Sequence, residues 1–267
     1  MKSQDEVIRA LAQNGQEKLL LQQFFDQYER SQQRNYLTHT RFLDLRERTL
    51  CVQAAQQTGA QNHTVFWGGY EQAERVVALC YPDYMTAQQA IEPEQSPFVL
   101  LRACKSPTDT LSHRDYLGAL MGLGIERAVL GDIVLHEDGA DLLVLEQMAE
   151  FICMNFLRAG RKRITLERLP LTELRLPQIQ ETVGEGSVAS LRLDCVAALM
   201  FRQSRGQMQQ AIEKGLVFVN QMQCMKPDAE VMPGDRITVR GLGRGRLIDC
   251  GGISRKGRQF VQYARTV

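Results

Sequence analysis

Apolar positions recur along this chain with two different periods, and the switches between them divide it into segments. From residue 1 to about 60 the spacing is helical and the polar positions are rich in Gln. Leu19, Leu20, Phe24 and Phe25 fall in one stretch, and Phe42, Leu43 and Leu50 in the next. From Tyr70 the texture changes. Residues 75–81 and 97–104 read as strands. Ser112 with Asp115 forms a capping box that opens a helix through Leu117, Leu120 and Met121, stopped at Gly124. Residues 132–136 and 142–145 read as a hairpin across Glu137-Asp138-Gly139. A helix over 146–158 turns Met148, Phe151, Ile152 and Phe156 to the core and ends at Gly160, and 164–169 is a last strand. Strands interrupted by two helices in this order predict a ferredoxin-like α+β sandwich. Pro170, Pro177 and Gly184-Glu185-Gly186 then mark a linker.

Beyond that linker the pattern tightens. Ser204 is a good N-cap, and Gln207 completes a second capping box. Met208, Ala211 and Ile212 give the helix that follows an apolar face, and Gly215 supplies its left-handed stop. Val217 and Val219, interleaved with Leu216 and Phe218, form a short, mostly buried strand. Pro233-Gly234 suits a type II turn, and residues 236–240 alternate as a half-exposed strand. Two short helices followed by a small sheet are expected.

Composition adds little until it is divided. The 267 residues carry 32 Lys and Arg against 31 Asp and Glu. Split after Gly186, residues 187–267 hold 13 basic and 6 acidic residues, a net of +7, while residues 1–186 hold 19 and 25, a net of −6. A basic lobe of this kind is the electrostatic footprint of a protein that meets phosphate backbones. Arg192, Arg202, Arg205 and Lys214 lie on predicted rigid elements and are the leading phosphate contacts, with Lys226 beside them. Arg255, Lys256, Arg258 and Arg265 read equally well as a solvated tail. Arg205 and Lys214, nine residues apart, are about half a turn out of phase on one helix, so neither shares a face with the other unaided.

Other chemistry is excluded or explained more cheaply. No apolar run opens the chain, and the densest apolar segment, 151–157, is too short to span a bilayer, which predicts a cytoplasmic protein. Seven cysteines without a Cys-x-x-Cys argue against a disulfide framework and a zinc ribbon. His39, His63, His113 and His136 have no metal-ligand spacing, and no cofactor or small-molecule substrate is implied. His113-Arg114-Asp115 spells a kinase catalytic triplet, yet Leu120 stands where the metal-binding Asn belongs, and capping accounts for the triplet. Gly241-Leu242-Gly243-Arg244-Gly245 opens no helix and reads as a flexible basic turn rather than a dinucleotide site. Arg161-Lys162-Arg163, just past a helix end, reads either as an RNA contact or, more cheaply, as a complement to that helix's dipole that solvates a turn. The middle segment also lacks the exposed stacking aromatics of an RNA recognition motif.

The C-terminal residues resemble the RNA-binding domain named after the fourth protein of the small ribosomal subunit, called S-four here. The residues that carry this are Arg192-Leu193-Asp194, Ser204-Arg205, Met208 with Ile212, Gly215, Val217 with Val219-Asn220, and Gly234-Asp235. Gln221 stands where that family has Gly, which predicts a different hairpin turn, and Glu213 where it favours a basic residue. Gly68-Gly69-Tyr70-Glu71, Ala73-Glu74-Arg75, Tyr81-Pro82-Asp83-Tyr84, the run from His113 to Met121, and Gly131-Asp132-Ile133 resemble the YlmH family of bacterial S-four-domain proteins.

The pattern along the chain, with the S-four resemblance at its end, predicts an α+β chain in three parts: a helical N-terminal region (1–69), a ferredoxin/RRM-like middle domain (70–169) and an S-four-like RNA-binding domain (182–255). The resemblance to the YlmH family implies a non-enzymatic factor for ribosomal RNA or tRNA on the large ribosomal subunit, active in quality control of stalled peptidyl-tRNA, in a family whose genes are also associated with cell division. In that mechanism Arg192, Arg205 and Lys214 neutralise phosphates, while Ser204 and Asn220 shape the backbone. An Arg205 acting only on phosphate would leave unfolding nearly unchanged when its charge is reversed. The alternative is an RNA-modifying enzyme, pseudouridine synthase- or methyltransferase-like, that uses the S-four-type domain for targeting.

Overall fold

Residues 2–176, 181–254 and 257–266 are described by a computed structural model, and the chain divides into two units, residues 1–177 and 178–267. Pro177, Arg255 and Lys256 lie outside the described residues.

The first unit opens with α1 (Gln4–Leu11), α2 (Gly15–Arg34), β1 (Thr38–His39) and α3 (Leu45–Thr58). Ser3, Asn14 and Asp44 cap the three helices by accepting first-turn backbone N–H groups that would otherwise lack partners. Then come β2 (Thr64–Trp67), β3 (Val77–Cys80) and a single turn, α4 (Ala87–Ala90). β3 lies between β1 and β2 in an antiparallel three-stranded sheet. It joins two cores. Ala78 and Cys80 pack with Phe24, Phe25 and Leu50 of the helices, while Val77 and Leu79 pack with the following domain. The strand expected to begin the middle domain therefore belongs to the N-terminal sheet, because period-2 alternation gives a fully buried strand two apolar faces to cover.

The middle domain runs β4 (Phe98–Lys105), α5 (His113–Gly122), β5 (Leu130–His136), β6 (Gly139–Leu145), α6 (Glu146–Asn155), β7 (Arg158–Ala159) and β8 (Lys162–Leu169). Its antiparallel sheet has the order β5-β6-β4-β8-β7. Without the short β7, this is the split β-α-β arrangement of ferredoxin-like domains. The Ser112–Asp115 cap is present, with Asp115 accepting from Ser112 N at 2.8 Å and Oγ at 2.7 Å. The hairpin turn needs Gly139, since a Cβ there would sit 1.9 Å from the Ala103 carbonyl oxygen. α6 ends at Asn155, before the expected residue 158, because Arg158 and Ala159 turn back to pair with Arg163 and Lys162. Phe151, expected in the core, is exposed, whereas Ile152 and Phe156 are buried.

The second unit holds β9 (Glu181–Val188), α7 (Leu193–Met200), α8 (Arg205–Glu213), β10 (Val217–Val219), β11 (Met222–Gln223), β12 (Arg236–Val239), β13 (Gly243–Ile253) and β14 (Gln259–Thr266). Its antiparallel sheet has the order β11-β10-β12-β13-β14-β9. Two expectations fail here. Gly184-Glu185-Gly186 is no linker but part of β9, paired along β14. The Gly241–Gly245 turn is in part strand, since β13 starts at Gly243. The glycines of β9 serve close packing, as a Cβ on Gly184 would lie 2.7 Å from the Tyr263 ring and one on Gly186 2.8 Å from Leu199. Among the described residues no helix is long and apolar enough to cross a membrane. All seven cysteines are free thiols, three of them buried.

Candidate nucleic-acid interface

The start of the second unit is organised around one carboxylate. Asp194, fully buried on the first turn of α7, accepts Gln209 Nε2 at 2.7 Å, Arg205 Nε at 2.9 Å and Arg192 Nε at 3.3 Å. Burial pushes its carboxyl up, but the donors from Gln209, Arg205 and Arg192 outweigh this and hold it at about 2, as a carboxylate. One buried anion thus ties α7 to α8 and brings together two predicted phosphate contacts. Both guanidiniums remain about half exposed, at 40% for Arg192 and 51% for Arg205, so each turns part of its donor fork to solvent. Arg205 therefore has a structural partner. The expectation that its charge reversal leaves unfolding unchanged is corrected.

The remaining predicted residues separate into scaffold and surface. Ser204 caps α8, accepting Gln207 N at 3.2 Å while Gln207 Oε1 accepts Ser204 N at 3.0 Å. The Asn220 side chain donates to Asp235 Oδ1 at 2.8 Å and accepts Arg236 N at 3.0 Å, which locks the β10–β11 turn to β12. That turn has two residues, Asn220 and Gln221, at φ 50° and 67° between the paired Val219 and Met222. This is a type I′ hairpin, in which Gln takes the left-handed position that glycine fills most easily. Arg202, Lys214 and Lys226 are exposed and make no side-chain hydrogen bond or ion pair among the described residues. Arg202 sits at φ 54° in the turn between α7 and α8. Lys214 caps the far end of α8 and is not brought beside Arg205. Lys226 begins the turn whose Pro227 and Ala229 carbonyls accept the Asp194 and Leu193 N–H groups, so it flanks the start of α7.

One set of arginines was missed. Ile237 and Val239 of β12 and Leu247 of β13 face the helices, so Arg236, Arg240, Arg244 and Arg246 lie on the opposite sheet face. Arg236 pairs directly with Arg246, and the Arg240 guanidinium stands 5.2 Å from the centroid of buried Phe218. The signal was that Arg236, Arg240, Arg244 and Arg246 all fall on even positions, hidden when the glycines between are read as a flexible turn.

The middle domain keeps its sheet face for itself. Arg102 on β4 and Asp141 opposite it on β6 form a buried bidentate pair at 2.7 and 2.9 Å. The segment after β8 straps over this pair, with Glu173 O accepting from Arg102 and Arg175 N donating to Asp141. The face that stacks bases in an RNA recognition motif is closed here by its own chain. Three of the five motifs that resemble YlmH, 68–71, 73–75 and 131–133, meet at Asp132, which accepts Tyr70 Oη at 2.7 Å, Glu74 N at 2.8 Å and Arg75 N at 3.1 Å. They form a structural lock between the N-terminal sheet and β5.

Fold and site together define an α+β protein whose C-terminal unit displays a cationic helix pair and sheet. Residues 103–173 match the family domain described as "Putative RNA-binding domain in YlmH". The chain is 36% identical over 229 residues to the Ribosome-associated protein quality control protein P2 of Bacillus subtilis (strain 168), covering 85% of this chain and 86% of the relative. It belongs to the YlmH family. The solved structure of the Cell division protein ylmH from Streptococcus pneumoniae is 23% identical, with a TM-score of 0.46, and covers 61% of this chain and 96% of that one.

Proposed function

We propose that this protein is a non-enzymatic RNA-binding factor of the ribosome, acting on large-subunit RNA or peptidyl-tRNA in the quality control of stalled translation. The observation that carries the reading is the Asp194 anchor, which holds Arg192 and Arg205 side by side with half of each guanidinium in solvent. Such a pair is preorganised for phosphate, because the ordering entropy of two long side chains is met on folding rather than on binding. Arg202 in the α7–α8 turn and Lys226 beside the start of α7 add charge near it. Lys214 stands at the far end of α8, and Arg236 with the Glu181-paired Arg246 forms a separate group on the sheet face away from the helices. The name of the Bacillus subtilis relative supports ribosome association and the quality-control setting.

Sedimentation of the purified protein with large subunits over a salt series tests the reading. Five phosphate contacts give a log–log slope of about −3.5 on single strands. A salt-independent association sinks the phosphate mechanism. Nucleoside mass spectrometry after incubation with RNA separates a factor from an RNA-modifying enzyme, since a new modified nucleoside establishes the latter.

A further inference from the structure

Outside the C-terminal unit, a second cationic site is built into the middle domain at the end of its sheet. β7 and β8 form a tight hairpin through Gly160 (φ 55°) and Arg161, which sets Arg158 directly opposite Arg163. Like charges facing each other across an antiparallel pair repel, and no acidic side chain among the described residues pairs with either of these two. Neither makes an ion pair among the described residues, nor does Lys105 at the end of β4. Lys162 differs, because Asp109 neutralises it at 2.6 Å. The three unneutralised cations line one open cavity of about 560 Å³, together with Ser106, Leu157 and Thr165. Leu157, Ile164 and Cys104 make much of its wall apolar, and the three cations with the Ser106 and Thr165 hydroxyls supply the charge-assisted donors that a phosphate takes.

We propose that this cleft holds the sugar-phosphate backbone of RNA, with Arg158, Arg163 and Lys105 as its phosphate contacts. The inference deepens the RNA-binding reading and rests on it. An unrelieved arginine pair costs stability in the free protein, and a polyanion removes that cost on binding. The closed sheet face supplies the second argument. With Arg102, Asp141 and the strap in place of stacking aromatics, the domain grips the backbone at its sheet end instead of reading bases on its surface. Of Arg161-Lys162-Arg163, for which the sequence leaves an RNA contact and a helix-dipole complement open, Lys162 is neutralised by Asp109 and Arg163 lines the cleft.

The full chain carrying Arg158→Glu and Arg163→Glu tests the proposal against labelled poly(U), beside a second variant with Arg202→Glu and Lys214→Glu. Arg158 and Arg163 are exposed, so circular dichroism and thermal unfolding should match the parent. The expected result is on the order of tenfold weaker binding for the cleft variant and a salt slope flatter by about 1.4, the share of two contacts. Arg158→Lys with Arg163→Lys should keep the slope. Ultraviolet crosslinking should place uridine adducts on peptides spanning 104–106 or 157–165. Unchanged affinity and slope in the cleft variant, with binding lost in the C-terminal variant, overturn the cleft and leave the RNA-binding reading standing. If the parent chain ignores poly(U) and ribosomal particles alike, both fall. Equal affinity for polyglutamate also overturns it, since the cleft would then be a generic acceptor of anions.

Discussion

Arg205 Nε lies 2.9 Å from Oδ2 of Asp194, joining an arginine half in solvent to a carboxylate fully out of it. The two residues sit at the starts of consecutive helices. Eleven positions separate them in the chain, yet one charge-assisted bond fixes how the helices cross and where the remaining guanidinium donors point.

Loss of the anchor should therefore be felt in stability first. Asp194→Ala leaves Arg192, Arg205 and Gln209 without their common acceptor and should cost about 2–3 kcal/mol, read by denaturant unfolding. Arg205→Ala should destabilise less, because Gln209 and Arg192 still satisfy the carboxylate. Equal stability of the parent and Asp194→Ala would remove the anchor from the account.

The same carboxylate sets an acid limit. Its folded pKa, about 2, lies below the ordinary 3.8, so its contribution is complete above about pH 4 and disappears as the pH falls through 2. The size is about 2 kcal/mol. Asp194→Asn should flatten the thermal midpoint between pH 4 and 2 relative to the parent. Parallel curves for the two would contradict the linkage.

Arg202 and Lys214 offer the opposite case. Both are exposed and unpaired among the described residues. Charge reversal at both should leave the unfolding midpoint in place while weakening association with ribosomal particles and flattening its salt slope by about 1.4. Undiminished binding would take these two off the interface.

In the middle domain, Asp141→Ala should cost about 3–5 kcal/mol by stranding Arg102 beneath the strap. Replacing both partners at once, Arg102→Met with Asp141→Leu, should recover most of that loss in thermal denaturation. A double variant no better than the single one would show that the strap, rather than charge pairing, carries the stability.

Local chemistry made several elements readable in advance. The Ser112–Asp115 and Ser204–Gln207 caps, the β5–β6 hairpin and α8 all follow from contacts within a few residues, and each was placed from spacing alone. The ferredoxin-like order was legible because its strands alternate with helices in sequence. The errors came where distant segments decide. Whether 184–186 is a linker or an edge strand depends on β14, where Gly184 pairs with Tyr263 and Gly186 with Val261, and whether 243–246 is a turn or a strand depends on β12 and β14.

For the site, the chain by itself determined that the cations concentrate after residue 186 and which of them stand on helices, since charge and helical period are properties of the local string. Only the tertiary structure decided their duties. It spent half of Arg192 and Arg205 on Asp194, bound Asn220 to Asp235, left Arg202, Lys214 and Lys226 exposed and without an ion pair among the described residues, and set Arg158 against Arg163. The reason is physical. A side chain's electrostatic role depends on which charges lie within a few ångströms and how much water remains between them, and that neighbourhood does not exist until the chain has folded.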